Sequence, residues 1–403
     1  MKILVLNAGS SSQKSSLYEI SGDIPQQAPQ PLWEAKVDFS HQEGMAEVKV
    51  KTAMGELQEE IPANSQAAVI PHLLETLTNG ITKVIHQPTD IDVVGHRVVH
   101  GGRKYRQSVL VTEEVKAAIA SLFSLAPAHN PANLEGITAI EQYLGNIPQV
   151  AVFDTAFHTS IPDAAAIYPG AYEWVEQGIR RYGFHGISHQ YCAQRAADIL
   201  GQVSSLRLIT CHLGNGCSLA AIKDGCSIDT TMGFTPLDGL MMGSRSGAID
   251  PSILIYLLRQ NSYTVDKLDY VLNKASGLRG ISGVSSDMRS VREAISQGNS
   301  RAQLAIDMFI HRLRAGIGSM LASLGGLDAL VFTGGIGENA PDIRAAASEA
   351  FAFLGLHIDT VKNNSKPVDA DIATSDSAVR VLVVHTQEDW AIATECWRLS
   401  KAT

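Results

Sequence analysis

Two arginines stand where the backbone is exposed and the neighbours are small, a setting open to anion binding. Arg97 lies in Gly95-His96-Arg97-Val98-Val99-His100-Gly101-Gly102, behind the apolar run Ile91, Val93, Val94 and ahead of a glycine pair. Arg245 lies in Gly243-Ser244-Arg245-Ser246-Gly247. Small neighbours leave the backbone open at both, and a planar guanidinium matches the paired oxygens of a carboxylate or phosphate. Either one alone would more often cover a solvated face with its aliphatic stem. Asp154 follows the strand-like run Val150–Phe153, at a strand end where ligand-facing residues collect in α/β folds. Glu388 follows the run Val381–Val384, and His185 sits between Phe184 and Gly186.

Three small-residue turns could cradle phosphate through backbone N–H groups. The first is Asn7-Ala8-Gly9-Ser10-Ser11-Ser12-Gln13-Lys14, which lacks P-loop spacing. The second is His212-Leu213-Gly214-Asn215-Gly216. The third is Thr333-Gly334-Gly335-Ile336-Gly337-Glu338-Asn339-Ala340, read as a glycine loop between a strand and a helix starting near Pro341. Gly335, Gly337 and Ala340 match G-x-G-x-x-A, and Asp359 follows about twenty residues later, as in a dinucleotide fingerprint. A nicotinamide-dependent oxidoreductase is therefore a rival reading, weakened by the short stretch of chain after Asp359.

The elements that must position these residues are strands and helices in alternation from Asp92 onward, so the class is α/β. The 403 residues exceed one ordinary core and point to two domains. Ile3–Leu6, a Gly/Ser turn and Ser15–Ile20 form one strand-turn-strand unit. Leu206–Cys211, the turn 212–216 and Cys217–Ile222 form another, closed by the tight turn Asp224-Gly225. Their likeness suggests related domains, 1–150 with 386–403, and 151–385, facing each other across an active-site cleft. Asp250-Pro251 predicts a helix to about Gln260, and Ser300–Leu324 a long one whose Gly316 and Gly318 admit another backbone. Residues 21–62 read as an excursion, with Ala46–Lys51 as an edge strand.

The net charge of −9 argues against a nucleic-acid binder, which would need a basic face, but permits a local anion site. Five cysteines (Cys192, Cys211, Cys217, Cys226, Cys396) without a CxxC pair predict reduced thiols rather than a disulfide framework or a zinc site. With neither a signal-peptide pattern nor a membrane-length apolar run, the expectation is a cytoplasmic protein without a membrane partner.

The runs NAGSSSxK (7–14), GHRVVHGG (95–102), APxHNP (126–131), VFDTAFH (152–158), YGFHGxSH (182–189), HLGNGCS (212–218), DTTMGFTPLDGLMMGSRSG (229–247) and FTGGIGEN (332–339) together resemble acetate kinases, in order and over nearly the whole chain. The resemblance implies two related domains of the actin/hexokinase/sugar-kinase (ribonuclease H-like) superfamily and a homodimer. It also implies ATP/ADP with Mg²⁺ or Mn²⁺, and reversible transfer of a phosphoryl group from ATP to acetate. It makes Arg97 and Arg245 the holders of carboxylate and phosphoryl, and His185 the histidine that steadies the phosphoryl, with His129 and His212 supporting. Asp154 and Glu388 serve metal and substrate, and Asn7 with Glu388 would lie at the metal. Ser10, Ser12, Lys14, His212, Leu213, Gly214, Asn215 and Gly216 fall to the phosphates. Asp287, Met288, Arg289, Gly335, Ile336, Gly337 and Asn339 fall to the adenosine side.

The chemistry is coherent with that reading. A carboxylate is already ionised at neutral pH, so no general base is needed. The obstacle is anion against anion, and arginines answer it. The apolar lining for the substrate methyl would be Val99, Ala128, Phe184 and Pro236. Ala128 replaces the family's usual Leu, which opens the pocket to propionate or another short carboxylate. Ala248, Gln387 and Ser15 are further departures from the family pattern, affecting local packing.

Overall fold

The computed structural model describes residues 1–9, 12–39, 44–202 and 205–401. The chain divides into two compact units, Met1–Ala156 with Gln387–Thr403, and Phe157–Thr386.

Unit 1 holds strands β1 (Lys2–Ala8), β2 (Ser12–Glu19), β3 (Trp33–Asp38), β4 (Met45–Thr52), β5 (Glu56–Pro62), β6 (Val93–Val98), β7 (Val109–Leu110) and β8 (Gln149–Phe153). They form one sheet in the order β5-β4-β3-β2-β1-β6-β8-β7. β1 runs parallel to β6, and β6 to β8, while the others pair antiparallel. The central strands are buried almost throughout, as parallel strands covered on both faces must be. β3 and β4 alternate between buried and solvated faces. Helices α1 (Gln66–Thr78), α2 (Glu113–Ser121) and α3 (Asn130–Leu144) follow in the chain. Trp33, fully buried, donates its indole N–H to Thr76 of α1 at 3.2 Å and anchors the core formed with Leu4, Leu17, Val48, Ile70 and Leu77.

Two expectations are corrected in this unit. Residues 33–62 are not an excursion but three strands of the main sheet. The stretch 46–51 is not an edge, because β5 pairs along it from Met45↔Pro62 to Lys51↔Glu56. The alternation that suggested an edge reports one solvated face, which an interior antiparallel strand can equally have.

Unit 2 holds β9 (Arg207–Leu213), β10 (Cys217–Lys223), β11 (Cys226–Thr230), β12 (Ala329–Thr333), β13 (Ala370–Asp371) and β14 (Arg380–Val383), in the order β11-β10-β9-β12-β14-β13. β9, β12 and β14 are parallel neighbours, and β10, β11 and β13 are antiparallel. The pattern of strand directions repeats β3-β2-β1-β6-β8-β7 of unit 1 position for position. Asp224 and Gly225, both at positive φ (52° and 76°), make the tight turn between β10 and β11.

Besides the short helical turns Asp163–Ala166 and Glu173–Glu176, unit 2 holds α4 (Gly186–Leu200), α5 (Pro251–Arg259), α6 (Val265–Lys274), α7 (Gly277–Ser282), α8 (Met288–Ser296), α9 (Ser300–Leu324), α10 (Gly334–Asn339), α11 (Pro341–Glu349) and α12 (Thr360–Asn364). Asp250 caps α5 by accepting from Ser252 N. α9 has the expected bounds, but its glycines do not admit another backbone. A Cβ on Gly316 would meet the Leu219 and Leu240 side chains at 2.9 Å, whereas Gly318 has nothing within 4 Å.

The last helix, α13 (Glu388–Lys401), returns to unit 1. It packs on β1, β6 and β8 so closely that a Cβ on Gly95 would lie 2.5 Å from Cys396 Sγ. Only glycine fits there.

Candidate active site

In unit 1 the site residues gather where the parallel strands end. Asn7, near the end of β1, donates its amide to Glu388 Oε2 at 3.2 Å and to Asp389 Oδ1 at 2.7 Å. Both acids open α13. Ser16 donates to the other Asp389 oxygen at 2.9 Å. Burial pushes the Asp389 carboxyl above its ordinary range, opposed by the Asn7 and Ser16 hydrogen bonds.

Arg97 on β6 donates Nη2 to Asp154 Oδ2 at 2.6 Å and Nη1 to the Ala8 carbonyl at 3.3 Å. Burial opposes its charge, but Asp154, Glu388 and Asp389 outweigh that and raise its pKa above the usual arginine value. Its Nε is buried without a partner among the described residues. The Gln66 amide reaches the Gly9 carbonyl at 2.6 Å, and Gly9 N donates to the Ser12 carbonyl at 2.8 Å, which closes the first turn. Ser10 lies outside the described residues. Ser12 is half-buried and Lys14 exposed.

The loop after β6 is held by α3. Asn133 Oδ1 accepts from Val99 N, and Asn130 both accepts from His100 N and donates to the His100 carbonyl, all at 3.1 Å. Val99 is buried, His129 stands at the N-cap position of α3, and Ala128 is exposed in the preceding turn.

In unit 2, His185 enters α4 in the left-handed region (φ 56°) and stacks on His212, ring centroids 4.2 Å apart. His212 Nδ1 meets Ser188 Oγ at 2.8 Å. Residues 212 and 213 belong to β9, so the second turn is only Gly214-Asn215-Gly216, shorter than expected. Gly214 N donates to the Gly216 carbonyl, and Gly243 N to that of Asn215, both at 3.0 Å. A Cβ on Gly216 would lie 3.4 Å from His185 Nε2 and 3.5 Å from Arg245 Nη1, so histidine and arginine face one small concavity. Arg245 is fixed from behind by donating Nη1 to the Pro236 carbonyl at 3.2 Å. Phe184 is buried, and its carbonyl meets His158 Nε2 at 3.0 Å.

The remaining candidates spread over unit 2. Asp287 caps α8 by accepting from Arg289 N at 2.7 Å, and its carboxylate pairs with the exposed Arg289 guanidinium at 2.6 Å. Met288 is buried. The third glycine run is not a loop before a helix. α10 begins at Gly334 itself, leaving Gly335 and Asn339 exposed, Ile336 half-buried and Gly337 buried. Asn339 donates back to the Gly335 carbonyl at 3.0 Å.

The dinucleotide reading fails on this geometry. Among the described residues no strand leads directly into Asp359, only an isolated bridge from Ile358 to Ala373, and its carboxylate caps α12 by accepting from Val361 N and Lys362 N. The spacing matched, but the strand that should present the acid is absent.

Sequence reasoning missed Asp389, Gln66, Asn130 and Asn133. Asp389 was available as a second acid beside Glu388. The asparagines lay inside a recognised run, but nothing in it says that they grip the backbone at 99–100.

Oxygen donors from Glu388, Asp389 and Asn7 suit a hard cation such as Mg²⁺. Among the described residues no group of three or more His, Cys, Asp or Glu is placed to hold a metal ion.

The Acetokinase family model matches residues 2–394. An acetate kinase of Nostoc sp. is 70% identical over 404 aligned positions, covering all of both chains. The crystal structure of Porphyromonas gingivalis acetate kinase superposes with a TM-score of 0.90 at 40% identity, covering 99% of each chain. A propionate kinase from Francisella tularensis gives 0.89 at 41% identity, covering 98% of this chain and 99% of that one. Matched from end to end in sequence and in fold, the chain belongs to the acetokinase family and is a kinase.

Proposed function

We propose that this enzyme transfers the γ-phosphoryl group of ATP reversibly to acetate, giving acetyl phosphate and ADP. The observation that carries the reading is the end-to-end 70% identity to an acetate kinase. The sequence carries arginine at positions 97 and 245, which supports the reading.

In the forward step a carboxylate oxygen forms the new bond to phosphorus as the bond from phosphorus to the β,γ-bridging oxygen breaks. ADP leaves with that electron pair, and no proton need move. Arg97, held rigid by Asp154 and Ala8, orients the carboxylate. Arg245 and His185 receive the equatorial oxygens of the phosphoryl, and His129 and His212 support them. Ser12, Lys14 and the 212–216 segment hold phosphates. Asp287, Met288, Arg289, Gly335, Ile336, Gly337 and Asn339 serve the adenosine. Mg²⁺ when bound supplies charge neutralisation, and Glu388 with Asn7 would hold it.

Propionate is a second acceptor on this reading. The exposed Ala128 and the 41% identity to a propionate kinase support it. A homodimer is supported by α5, whose Ile253, Ile255, Tyr256 and Leu258 are all exposed. The enzyme is proposed to act in the cytoplasm. No helix among the described residues is long and apolar enough to cross a membrane.

Trapping of acyl phosphate as hydroxamate tests the reaction. Product from ATP, Mg²⁺ and acetate is expected, and its absence with acetate, propionate and butyrate alike would overturn the proposal.

A further inference from the structure

Behind His185 lies a buried run of side-chain hydrogen bonds that the reaction as drawn does not use. His185 Nδ1 and His189 Nε2 both meet the Ser218 hydroxyl, at 2.9 and 2.8 Å. His189 Nδ1 meets the Thr210 hydroxyl at 2.6 Å. Ser218, His189 and Thr210 are each 0% exposed. The four residues come from the start of α4 and from the paired strands β9 and β10, so the sheet register fixes their spacing.

Protons in this run can be counted. A hydroxyl carries one, and a neutral imidazole carries one on either nitrogen. Burial, with His158 and His212 nearby, holds His189 well below its ordinary range, so it is neutral and one of its nitrogens must accept. If both imidazoles donated to Ser218, its own buried O–H would be left without either of them as acceptor, a costly arrangement. With His185 neutral as well and the Ser218 proton donated within the run, two directions are possible. In one, Thr210 donates to His189 Nδ1, His189 Nε2–H donates to Ser218, and Ser218 donates to His185 Nδ1. The His185 proton then sits on Nε2. In the other, every bond reverses, and His185 turns a lone pair outward from Nε2.

The Nε2 side of His185 faces Gly216 together with Arg245 Nη1. An anion there accepts from an N–H and repels a lone pair. We propose that Ser218 and His189 are positioning residues that hold His185 in its Nε2–H tautomer, so that His185 donates to the transferring phosphoryl group. The phosphoryl step rests on the function proposed above, whereas the direction of the hydrogen bonds stands independently of it.

The test uses the intact enzyme with ¹⁵N-labelled histidine, and long-range ¹H–¹⁵N spectra at pH 8 with and without inorganic phosphate. His185→Gln and His189→Gln variants assign the signals. Both histidines are expected to carry their proton on Nε2. A proton on His189 Nδ1, or on His185 Nδ1, overturns the proposal. This readout needs neither activity nor a Ser218 variant.

In kinetics, Ser218→Ala is expected to lower kcat by on the order of tenfold to a hundredfold, up to the loss of one oriented donor. KM for ATP and for acetate should stay within about twofold, the mark of an interaction made in the transition state. Ser218→Thr, which keeps the hydroxyl, should recover most of the rate. A folded Ser218→Ala enzyme with undiminished kcat would overturn the role in catalysis. Absence of acyl-phosphate formation by the unmodified enzyme would count against the proposed function, and the tautomer result would still decide the rest.

Discussion

Arg97 is the residue whose replacement tells most. Its guanidinium spans Asp154 and the Ala8 carbonyl, and the Asp154 side chain is only 2% exposed. Arg97→Lys keeps the charge but replaces a planar fork with a single nitrogen, which cannot serve Asp154, Ala8 and a substrate oxyanion together. One charged hydrogen bond is worth about 1.5–3 kcal/mol. Each kcal/mol moves the midpoint of a unit of this size by about 2–4 °C, so Tm should fall by about 3–12 °C. Turnover should fall further, by on the order of 10²–10³, because an oriented donor to a developing charge is lost. Arg97→Met removes the cation and leaves Asp154 buried and uncompensated, at about 3–5 kcal/mol. The double variant Arg97→Met/Asp154→Asn should regain part of that stability and none of the activity. The assays are hydroxamate formation and thermal unfolding on the same preparations. Near-normal turnover in Arg97→Lys would refute the two-arginine mechanism, and an unchanged midpoint in Arg97→Met would refute the dependence of Asp154 on Arg97.

Three further outcomes follow from particular contacts. Ala128→Leu should shift the kcat/KM ratio of acetate to propionate in favour of acetate by up to about 1–3 kcal/mol, read from initial rates with both acids. The exposed position predicts little change in unfolding. Arg344 is buried and donates to the carbonyls of Gly337, Glu338 and Asn363, at 2.8, 2.7 and 2.7 Å, and to Asn363 Oδ1 at 2.8 Å. Arg344→Met should therefore loosen the end of α10 and raise KM for ATP by about tenfold, near 1.4 kcal/mol, with KM for acetate unchanged. Burial depresses His96 and His100 to about 4 from an ordinary 6.5. Between those values the unfolded chain binds more protons, so stability falls as pH drops from 6.5 towards 4, by on the order of 2 kcal/mol per histidine at pH 5. Urea unfolding at pH 7 and pH 5 checks this, and His96→Gln should flatten the dependence.

Much of the fold was legible where a local rule acts alone. The Asp224-Gly225 turn, the Asp250 cap and the bounds of α9 each follow from a few neighbouring residues. Misreadings arose where pairing partners decide. β4 alternates like an edge, and only β5, which reads weakly because it is mostly exposed, makes it interior. The glycine run at 334–339 reads as a loop by propensity, yet it is helical. Glu338 accepts from Gly334 N at the start of α10, and Arg344 takes the carbonyls at its end. Motifs placed Arg97, Asp154 and His185 among the candidates, but not the groups behind them. Gln66 lies 57 residues from Gly9, and Ser218 lies 33 from His185. No spacing rule reaches that far.

The repeated sheet explains why chemistry collects where it does. β1, β6 and β8 in unit 1 correspond in order and direction to β9, β12 and β14 in unit 2. In unit 1 the residues at or just past the ends of these strands are Asn7, Arg97 and Asp154. In unit 2 they are His212 with the Gly214–Gly216 turn, Gly334 with α10, and His385 with Thr386. Parallel strands end together on one side of a sheet, which makes those ends the natural place to converge side chains. The two units fill the positions differently. Unit 1 supplies charge, a guanidinium among carboxylates. Unit 2 supplies small residues whose Cβ would collide, as at Gly334 against the Leu213 carbonyl. A carboxylate acceptor and its metal need the first kind of surface, and a polyphosphate approached by backbone needs the second. On the proposed function, one repeated sheet pattern would meet both requirements through different residues at matched strand ends.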